Sequence, residues 1–466
     1  MARVSLRERR AARQRRSPGF DRRLVAPLVL GATLNPINSS MIAVALVPIG
    51  LALHVSAAST AWLVSGLYLA TAVGQPIVGR LVDEFGARPV YLSATTLVGA
   101  AGLLGALAPN LNVLIVARVL LGVGTCAGYP AAMHLIRREA QRTGLQSPSA
   151  ILATLAVSAQ TVLVIGPTIG GLAIGLFNWR AIFALNVPLS ILCVGLGAAR
   201  LPATRREDRV ASDLDVTGMV LFGLTLSALM YFLMRPSLAH APILVLTVLA
   251  GALFARRETR REEPFIDLKP LGANPALLAT YLRQLTVSII SYSFLYGFSQ
   301  WMEAGRGLNA SVTGLVLLPM FLIAIVVTAA TGRRPQVRAK LLTGGVVQIV
   351  GTLALVFVGA RVSVVTLVGI CAIIGVPQGL NSLANQNALY HQASADRVAS
   401  SAGLLRTFTY LGAILAAAIN AWCFGRHAST QGLHDLGAVL VTLSVFQTIV
   451  TVLDRRLSEV GRVVAT

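Results

Sequence analysis

Apolar runs of about 20 residues recur along the whole chain, divided by short polar stretches. Fourteen of them are centred near residues 39, 70, 99, 124, 162, 191, 225, 248, 288, 320, 350, 376, 411 and 443. A helix needs about 20 predominantly apolar residues to cross a bilayer. The pattern predicts an all-α polytopic membrane protein with fourteen transmembrane helices, and an even number returns both termini to one side. Composition agrees: 55% of the 466 residues are hydrophobic, 12% are charged, and the mean hydropathy is +0.73. A soluble protein of this size needs far more charge on its surface. The charged head is followed by a run too long for a signal core, so no cleavable signal peptide is expected.

A net charge of +21 first suggests nucleic acid, but its distribution excludes it. Of the 39 Lys and Arg, 31 fall in segments on one side of the predicted spans, five on the other and three inside helices. This is the positive-inside pattern, and it puts the nine-arginine head and the tail DRRLSEVGR in the cytoplasm. The head is a topology anchor with lipid head groups within its reach. Cys126, Cys193, Cys371 and Cys423 lie in separate apolar runs, with no metal spacing and no disulfide pairing. No phosphate-cradling loop, metal cluster or nucleophile with a His partner is present, so neither an enzyme nor a cofactor is expected.

Polar residues inside apolar runs are the candidate functional groups, because each needs a partner or a wet cavity. The first run clusters Asn35, Asn38, Ser39 and Ser40 at mid-depth, and Pro36 and Pro48 break its regularity. Cavity lining is the preferred reading, with interhelical hydrogen bonding as the alternative. The ninth run carries Tyr281, Gln284, Ser288, Tyr292, Tyr296, Ser299 and Glu303 at three- and four-residue steps, with Gln300 at the edge. On a helix these form one polar stripe suited to a bulky amphipathic ligand. Gln378, Asn381 and Asn385 repeat the spacing in the twelfth run, and Ser158 is counted with the cavity residues. Arg118 lies within an apolar helix and is a functional candidate by default. Arg283 is expected to snorkel to the inner surface, and Arg406 to pair with a helix end. Glu303, near the outer end of its span, is a candidate for proton coupling or for loop capping.

The fifth run, within Ser158–Pro188, holds Gly166, Pro167, Gly170, Gly171 and Gly175. Gly166/Gly170 and Gly171/Gly175 are two G-x-x-x-G spacings, which let helix backbones approach closely. Pro167 is expected to bend the helix. The run GP-x-x-GG followed by W-R-x-I-F-x-x-N-x-P resembles the antiporter motif of drug:proton antiporters of the major facilitator superfamily, with Val162 where another Gly is usual. Gly79, Asp83, Gly86 and Arg88, read as a short charged turn between the second and third spans, resemble that superfamily's loop motif. Glu84 and Ala87 replace two of its basic residues. Arg118 and Gly122 resemble its fourth-helix motif, with Leu121 at the Gln position. The tenth span's end, from Gly332, is similar to a decayed copy of the loop. Two extra runs follow the connector at 203–214. They are bracketed by Asp215/Gly218 and by Glu262 to Leu268, like the fourteen-helix members.

This resemblance implies a major facilitator fold of six, two and six helices. Its parts would be a basic segment 1–23, a bundle 24–202, a linker with two helices 203–270, a bundle 271–453 and a tail 454–466. It implies a monomeric, proton-driven exporter of small amphipathic compounds in a bacterial cytoplasmic membrane, with protons, substrate and membrane lipids as its partners. Arg118 and Glu303 would carry coupling, the loop around Asp83 would gate, and no cofactor beyond the proton gradient would be needed. Asn38 stands where many such antiporters carry Asp, which favours neutral or anionic substrates, or Glu303 acting alone. A dedicated metabolite or lipid exporter of the same fold is the alternative, followed by a membrane-embedded enzyme on lipid-linked substrates.

Overall fold

The computed structural model describes residues 21–143, 149–202, 215–235, 237–261, 264–266, 268–269, 274–331, 336–393 and 398–458. Among them every regular element is helical. In chain order these are α1 (Val25–Met41), α2 (Leu46–Ala52), α3 (Ala57–Phe85), α4 (Ala87–Ala106), α5 (Leu111–Thr125) and α6 (Gly128–Thr143). Next come α7 (Ser149–Leu176), α8 (Ala181–Ala184), α9 (Asn186–Arg200), α10 (Val216–Met234), α11 (Ala241–Arg260) and α12 (Pro275–Ser293). The chain ends with α13 (Ser299–Ala304), α14 (Ala310–Thr331), α15 (Val337–Phe357), α16 (Val364–Gln392), α17 (Val398–Phe424) and α18 (Thr430–Leu453). Eleven described helices are long and apolar enough to cross a bilayer, and the bent pair Arg22–Val44 plus Leu46–Ala52 makes a twelfth. Below, the inner end is the one bearing the arginine-rich connections.

The helices form two groups with the same internal packing. In the first, α1 packs on α7, α3 on α5, and α4 on both α5 and α9. In the second, α12 packs on α17, α14 on α16, and α15 on both α16 and α18. The groups meet along two seams, α7 against α14 and α3 against α17. The pair α10–α11 stands outside both groups and reaches them through α10, which packs on α3 and α17.

The glycines of α7 explain the first seam. A Cβ at Gly166 would collide with the Ser40 hydroxyl, and one at Gly170 would press on the Met41 backbone, both in α1. A Cβ at Gly171 would strike the Ala310 carbonyl, and one at Gly175 would strike the Ser311 hydroxyl, both in α14. From the other side Gly314 admits the Pro167 carbonyl. The two G-x-x-x-G pairs thus serve two different neighbours, one in each group. α7 continues as one helix through Pro167. A sharp bend falls in the first span, where α1 and α2 are inclined by 60° across the 3-10 turn Ile42–Val44.

Three expectations are corrected. Gly79 and Asp83 lie in the last turns of α3 instead of a connecting turn, because the helix runs to Phe85. Only Gly86, at φ 90°, interrupts it before α4 begins. Arg88 donates to the Ala198 carbonyl at 2.7 Å, and the Asp83 side chain lies outside what is described. Arg283 does not snorkel: it is fully buried, and its Nη1 donates to Asp454 at 2.8 Å. Its remaining arm donates to Thr280 Oγ1 at 2.6 Å. This ion pair ties the inner end of α12 to the C-terminus of α18. Arg406 makes its contact with an aromatic face: its guanidinium lies 3.8 Å from the centre of the Tyr129 ring, in the first turn of α6. The Gly332 motif falls outside the described residues.

An acid clasp holds the outlying pair at the inner end. Asp215 caps α10 by accepting from the Gly218 N–H at 2.9 Å. It also takes Arg257 from α11 at 2.8 Å and Arg261 at 3.4 Å. Burial pushes the Asp215 carboxyl up, but the Arg257 hydrogen bond, the Gly218 N–H and the two guanidinium charges outweigh it. The carboxyl is held below its ordinary value.

Two outcomes follow from this packing. Gly166→Ala should cost about 1–3 kcal/mol through overpacking, read as unfolding in detergent, and Ser40→Gly in that background should recover much of it. Because the folded pKa of Asp215 is depressed, its stabilisation is complete at neutral pH. It is lost as pH falls below the unfolded value of about 3.9. Asp215→Asn should therefore expose the α10–α11 linker to protease at pH 7 and have little further effect in acid.

Candidate functional site

The first and ninth spans are both interrupted at mid-depth, and the interruptions face each other. In the first span, the change from α1 to the 3-10 turn at Ile42 leaves main-chain carbonyls available to other partners. In the ninth, a single π-turn, Phe294–Phe298, joins α12 to α13. Such turns are often found at functional sites because they re-aim side chains. Here Tyr296 Oη donates to the Ser39 carbonyl at 2.8 Å, and Ser299 Oγ donates to the Ala43 carbonyl at 2.7 Å. Both bonds join the first group to the second.

Tyr296 Oη also lies 3.0 Å from Tyr68 Oη of α3. A phenol has one proton, and that of Tyr296 goes to Ser39, so Tyr68 is the donor in this second bond. Tyr292 stacks on Tyr296 with ring centroids 6.0 Å apart and lies tilted against Tyr68 at 5.1 Å. Tyr410 of α17 completes the cluster, 6.1 Å from Tyr68. Four tyrosines from both groups thus form an aromatic cluster with hydroxyls at mid-depth, able to hold flat, amphipathic molecules.

Arg118 lies beneath this cluster in α5 and is 1% exposed. Its Nε donates to the Leu63 carbonyl at 2.9 Å and its Nη1 to the Asn38 carbonyl at 3.0 Å. Nη2 has no hydrogen-bond partner. The guanidinium therefore pins α1, α3 and α5 through main-chain oxygens, a geometry that needs Arg and not Lys. The Asn38 amide donates to Asn186 Oδ1 of α9 at 2.7 Å. Asn35 donates to Thr71 at 3.2 Å and to Thr125 at 3.0 Å. These amides are interhelical connectors in this conformation.

The stripe on α12 divides along its length. Toward the inner end, Gln284 links Asn385 of α16 at 3.1 Å and Thr409 of α17 at 3.1 Å. Ser291 donates to Gln378 at 2.6 Å. Asn381 turns away from α12 and donates to Gln348 of α15 at 2.8 Å, inside the second group. Gln300 is buried in α13, and Ser158 is half-buried on α7. Gly79, Gly86 and Arg88 belong to the inner end, far along α3 and α4 from the tyrosines.

Glu303 is at the outer end. It is 8% exposed, its Oε1 has no hydrogen-bond partner, and it lines a crevice of about 630 Å³. Two further bonds close the outer end between groups: the Ala57 and Ala58 N–H groups donate to the Arg426 and Gly425 carbonyls at 3.2 and 2.9 Å. Ser311 Oγ adds a third, donating to the Gly171 carbonyl at 2.8 Å.

Sequence reading missed Tyr68, Tyr129 and Tyr410. The signal for the first was available: Ser65, Tyr68, Thr71 and Gln75 recur at helical steps in α3. Arg406 and Tyr410, one turn apart, also share a face of α17.

Comparison with known proteins agrees with this architecture. The family model for the Major Facilitator Superfamily matches residues 28–417. The MFS-type transporter YwoD of Bacillus subtilis, described as uncharacterized, is 30% identical, covering 88% of this chain and 92% of that protein. The multidrug efflux pump LfrA of Mycolicibacterium smegmatis is 25% identical over 84% of this chain and 79% of the pump. The lincomycin resistance protein of Streptomyces lincolnensis is 31% identical over 63% of this chain and 60% of that protein. Among solved structures, the nucleoside transporter NupG superposes with a TM-score of 0.63. It covers 92% of this chain and 99% of NupG, at 13% identity.

Removing the Tyr296 hydroxyl leaves the Ser39 carbonyl and the Tyr68 hydroxyl without that partner. Tyr296→Phe should therefore cost about 1–3 kcal/mol of unfolding free energy and weaken the outer closure. Spin labels at the exposed positions Leu176 and Leu315 should report longer distances in Tyr296→Phe, and longer still with Ser299→Ala added.

Proposed function

This chain belongs to the major facilitator superfamily, and on that premise we propose that it is a proton-coupled exporter of small amphipathic compounds. It is a multi-pass membrane transporter by family. In the proposed arrangement all fourteen apolar runs span the cytoplasmic membrane, as bundles 24–202 and 271–453 joined by the two-helix linker 203–270. Both termini lie in the cytoplasm.

The observation that carries the reading is the junction of two similarly packed groups. They are joined by hydroxyl-to-carbonyl bonds at two helix breaks. Few bonds of this kind need to break for the groups to rock apart, and glycine faces allow the same seam to close again. Opening outward would part α7 from α14 at Gly171 and release Tyr296 from Ser39, exposing the tyrosine cluster to the outside. The substrate would occupy that cluster, bounded by Asn35, Asn38 and Ser39 on one side and Tyr292, Tyr296 and Gln300 on the other. Efflux as the direction is supported by relatives named for drug efflux and resistance and by the Gly166–Gly171 motif.

Coupling is proposed to act on two buried ionisable groups, Glu303 at the end of the ninth span and Arg118 of the fourth. Glu303 would gain and lose a proton as the outer end opens, and Arg118 would exchange its carbonyl partners as α1 and α3 move. A state-dependent difference in either group's interactions is what lets a proton bias the equilibrium. At the inner end, Arg80 donates to the Pro264 carbonyl of the linker at 3.3 Å. The segment Gly79–Arg88 would thereby latch α3 to the linker while the outer side is shut.

Cells making the protein should accumulate less of at least one class among fluorescent cationic, anionic and neutral compounds, and an uncoupler should abolish the difference. Unchanged accumulation across all three classes would remove the broad-specificity reading and leave a dedicated metabolite or lipid exporter.

A further inference from the structure

We propose that Arg406 selects the cargo: the tyrosine cluster takes flat amphipathic anions, whose carboxylate or sulfonate pairs with this guanidinium while the apolar body lies on the tyrosine rings. The inference deepens the transport reading, and rests on it only for the statement that the bound molecule is carried.

The position of Arg406 on α17 is the starting observation. Leu404 and Leu405 before it and Thr407 after it are buried, whereas Arg406 is exposed. It does not turn away from the molecule, because its guanidinium lies 3.8 Å from the centre of the Tyr129 ring, in the first group. The open space around it is therefore between the two groups. α17 runs outward from Val398, so Arg406 lies one turn, about 6 Å, to the inner side of Tyr410 and on the same face. Tyr292 and Tyr410 are half-buried and within reach of the Arg406 charge, whereas Tyr68 and Tyr296 are 1% exposed. The accessible part of the cluster is the part next to Arg406.

The guanidinium has no counter-ion among the described residues. No carboxylate pairs with it there, and Glu139, farther along the facing α6, is already held by Arg142 at 2.6 Å. Stacking on Tyr129 fixes the plane of the guanidinium and leaves N–H groups at its edge for a ligand. That edge matches a carboxylate or sulfonate through two parallel hydrogen bonds. Arg118 places a second positive charge beside the Tyr68 and Tyr296 hydroxyls. A cation in the cluster would meet like charge from both guanidiniums, and a neutral aromatic would leave Arg406 to water. An anion with an aromatic body satisfies the charge and the rings together.

The contact also explains how such a ligand would be enclosed. Arg406 belongs to the second group and Tyr129 to the first, so an anion on this guanidinium is held where the groups face each other. The same chemistry is present in the phosphate of an anionic phospholipid, and the experiment separates the two sources.

The full-length protein in phosphatidylcholine nanodiscs, with no ion gradient, would be titrated with radiolabelled 2-naphthoate, with empty nanodiscs as the blank. Saturable binding is expected, weakened about tenfold or more by Arg406→Gln through loss of a charge-assisted pair. Arg406→Lys should restore only part of the affinity, because it keeps the charge and loses the fork. Tyr129→Leu, which keeps the charge and removes the stack, should also weaken binding and carries the test if Arg406→Gln fails to fold. The cation of the same skeleton, 2-naphthylmethylammonium, should compete about tenfold less well than unlabelled 2-naphthoate. In phosphatidylglycerol nanodiscs a loss no larger than the depletion of anions near a negative surface supports a free anion as the ligand. Abolished binding in that lipid would overturn the cargo assignment and give the guanidinium to a lipid phosphate. Absence of saturable binding, unchanged affinity in the folded variants, or equal competition by the ammonium would overturn the proposal. No transport enters this measurement, so its failure would leave export of neutral or cationic compounds standing. Conversely, Arg406-dependent binding with no efflux in cells would count against transport alone.

Discussion

The structure depends on how closely α7 can approach two helices at once. Its glycines are placed so that one pair meets α1 and the other meets α14, at distances where any Cβ would strike a hydroxyl or a carbonyl. Apolar attraction does little to drive helices together in lipid, so close van der Waals packing has to do so. One helix therefore sets both the interior of the first group and the seam with the second. That double duty makes the seam able to close tightly without a large apolar interface. It also leaves Ser311 and Thr168 within reach of facing main-chain carbonyls, at 2.8 and 3.1 Å.

The polar centre is built on a second economy, in which main-chain carbonyls take the place of acids. Arg118 is held by the oxygens of Leu63 and Asn38, and Tyr296 and Ser299 are held by those of Ser39 and Ala43. The carbonyls become available where helices are broken or bent, and the breaks in the first and ninth spans coincide in space. Exchange of such bonds needs only small rotations of hydroxyls and changes no formal charge. Three of the described carboxylates lie instead toward the ends: Glu303 outside, and Asp215 and Asp454 inside, each of the latter pair tied to arginine.

Some of this was legible in the chain and some was not. The helical class and the major facilitator fold could be read from the apolar runs and the glycine and loop motifs, because bilayer thickness and backbone satisfaction leave few choices. The pairwise packing of the helices followed from the structure alone. Asn38 and Arg118 were marked correctly as polar residues needing partners, but not as partners of one another. Arg283 was misread because its position near an inner helix end fits snorkelling equally well. Only the return of Asp454 from α18, 171 residues later, makes burial affordable. Tyr68 was passed over although Ser65, Thr71 and Gln75 share its helical face, because its partners Tyr292, Tyr296 and Tyr410 lie far away in the chain.

The sequence by itself determined the helical class, the apolar runs, the uneven distribution of positive charge between their connections, and where backbones come close. These depend on local composition, on the cost of burying charge and on the absence of a Cβ. The tertiary structure decided what each polar side chain faces. Identical spacing put Gln378 and Asn385 against α12 but sent Asn381 into α15, and it split the stripe on the ninth span between three environments. Those outcomes turn on the π-turn Phe294–Phe298 and on the rotation of each helix about its axis, which are set by neighbours far away in the chain.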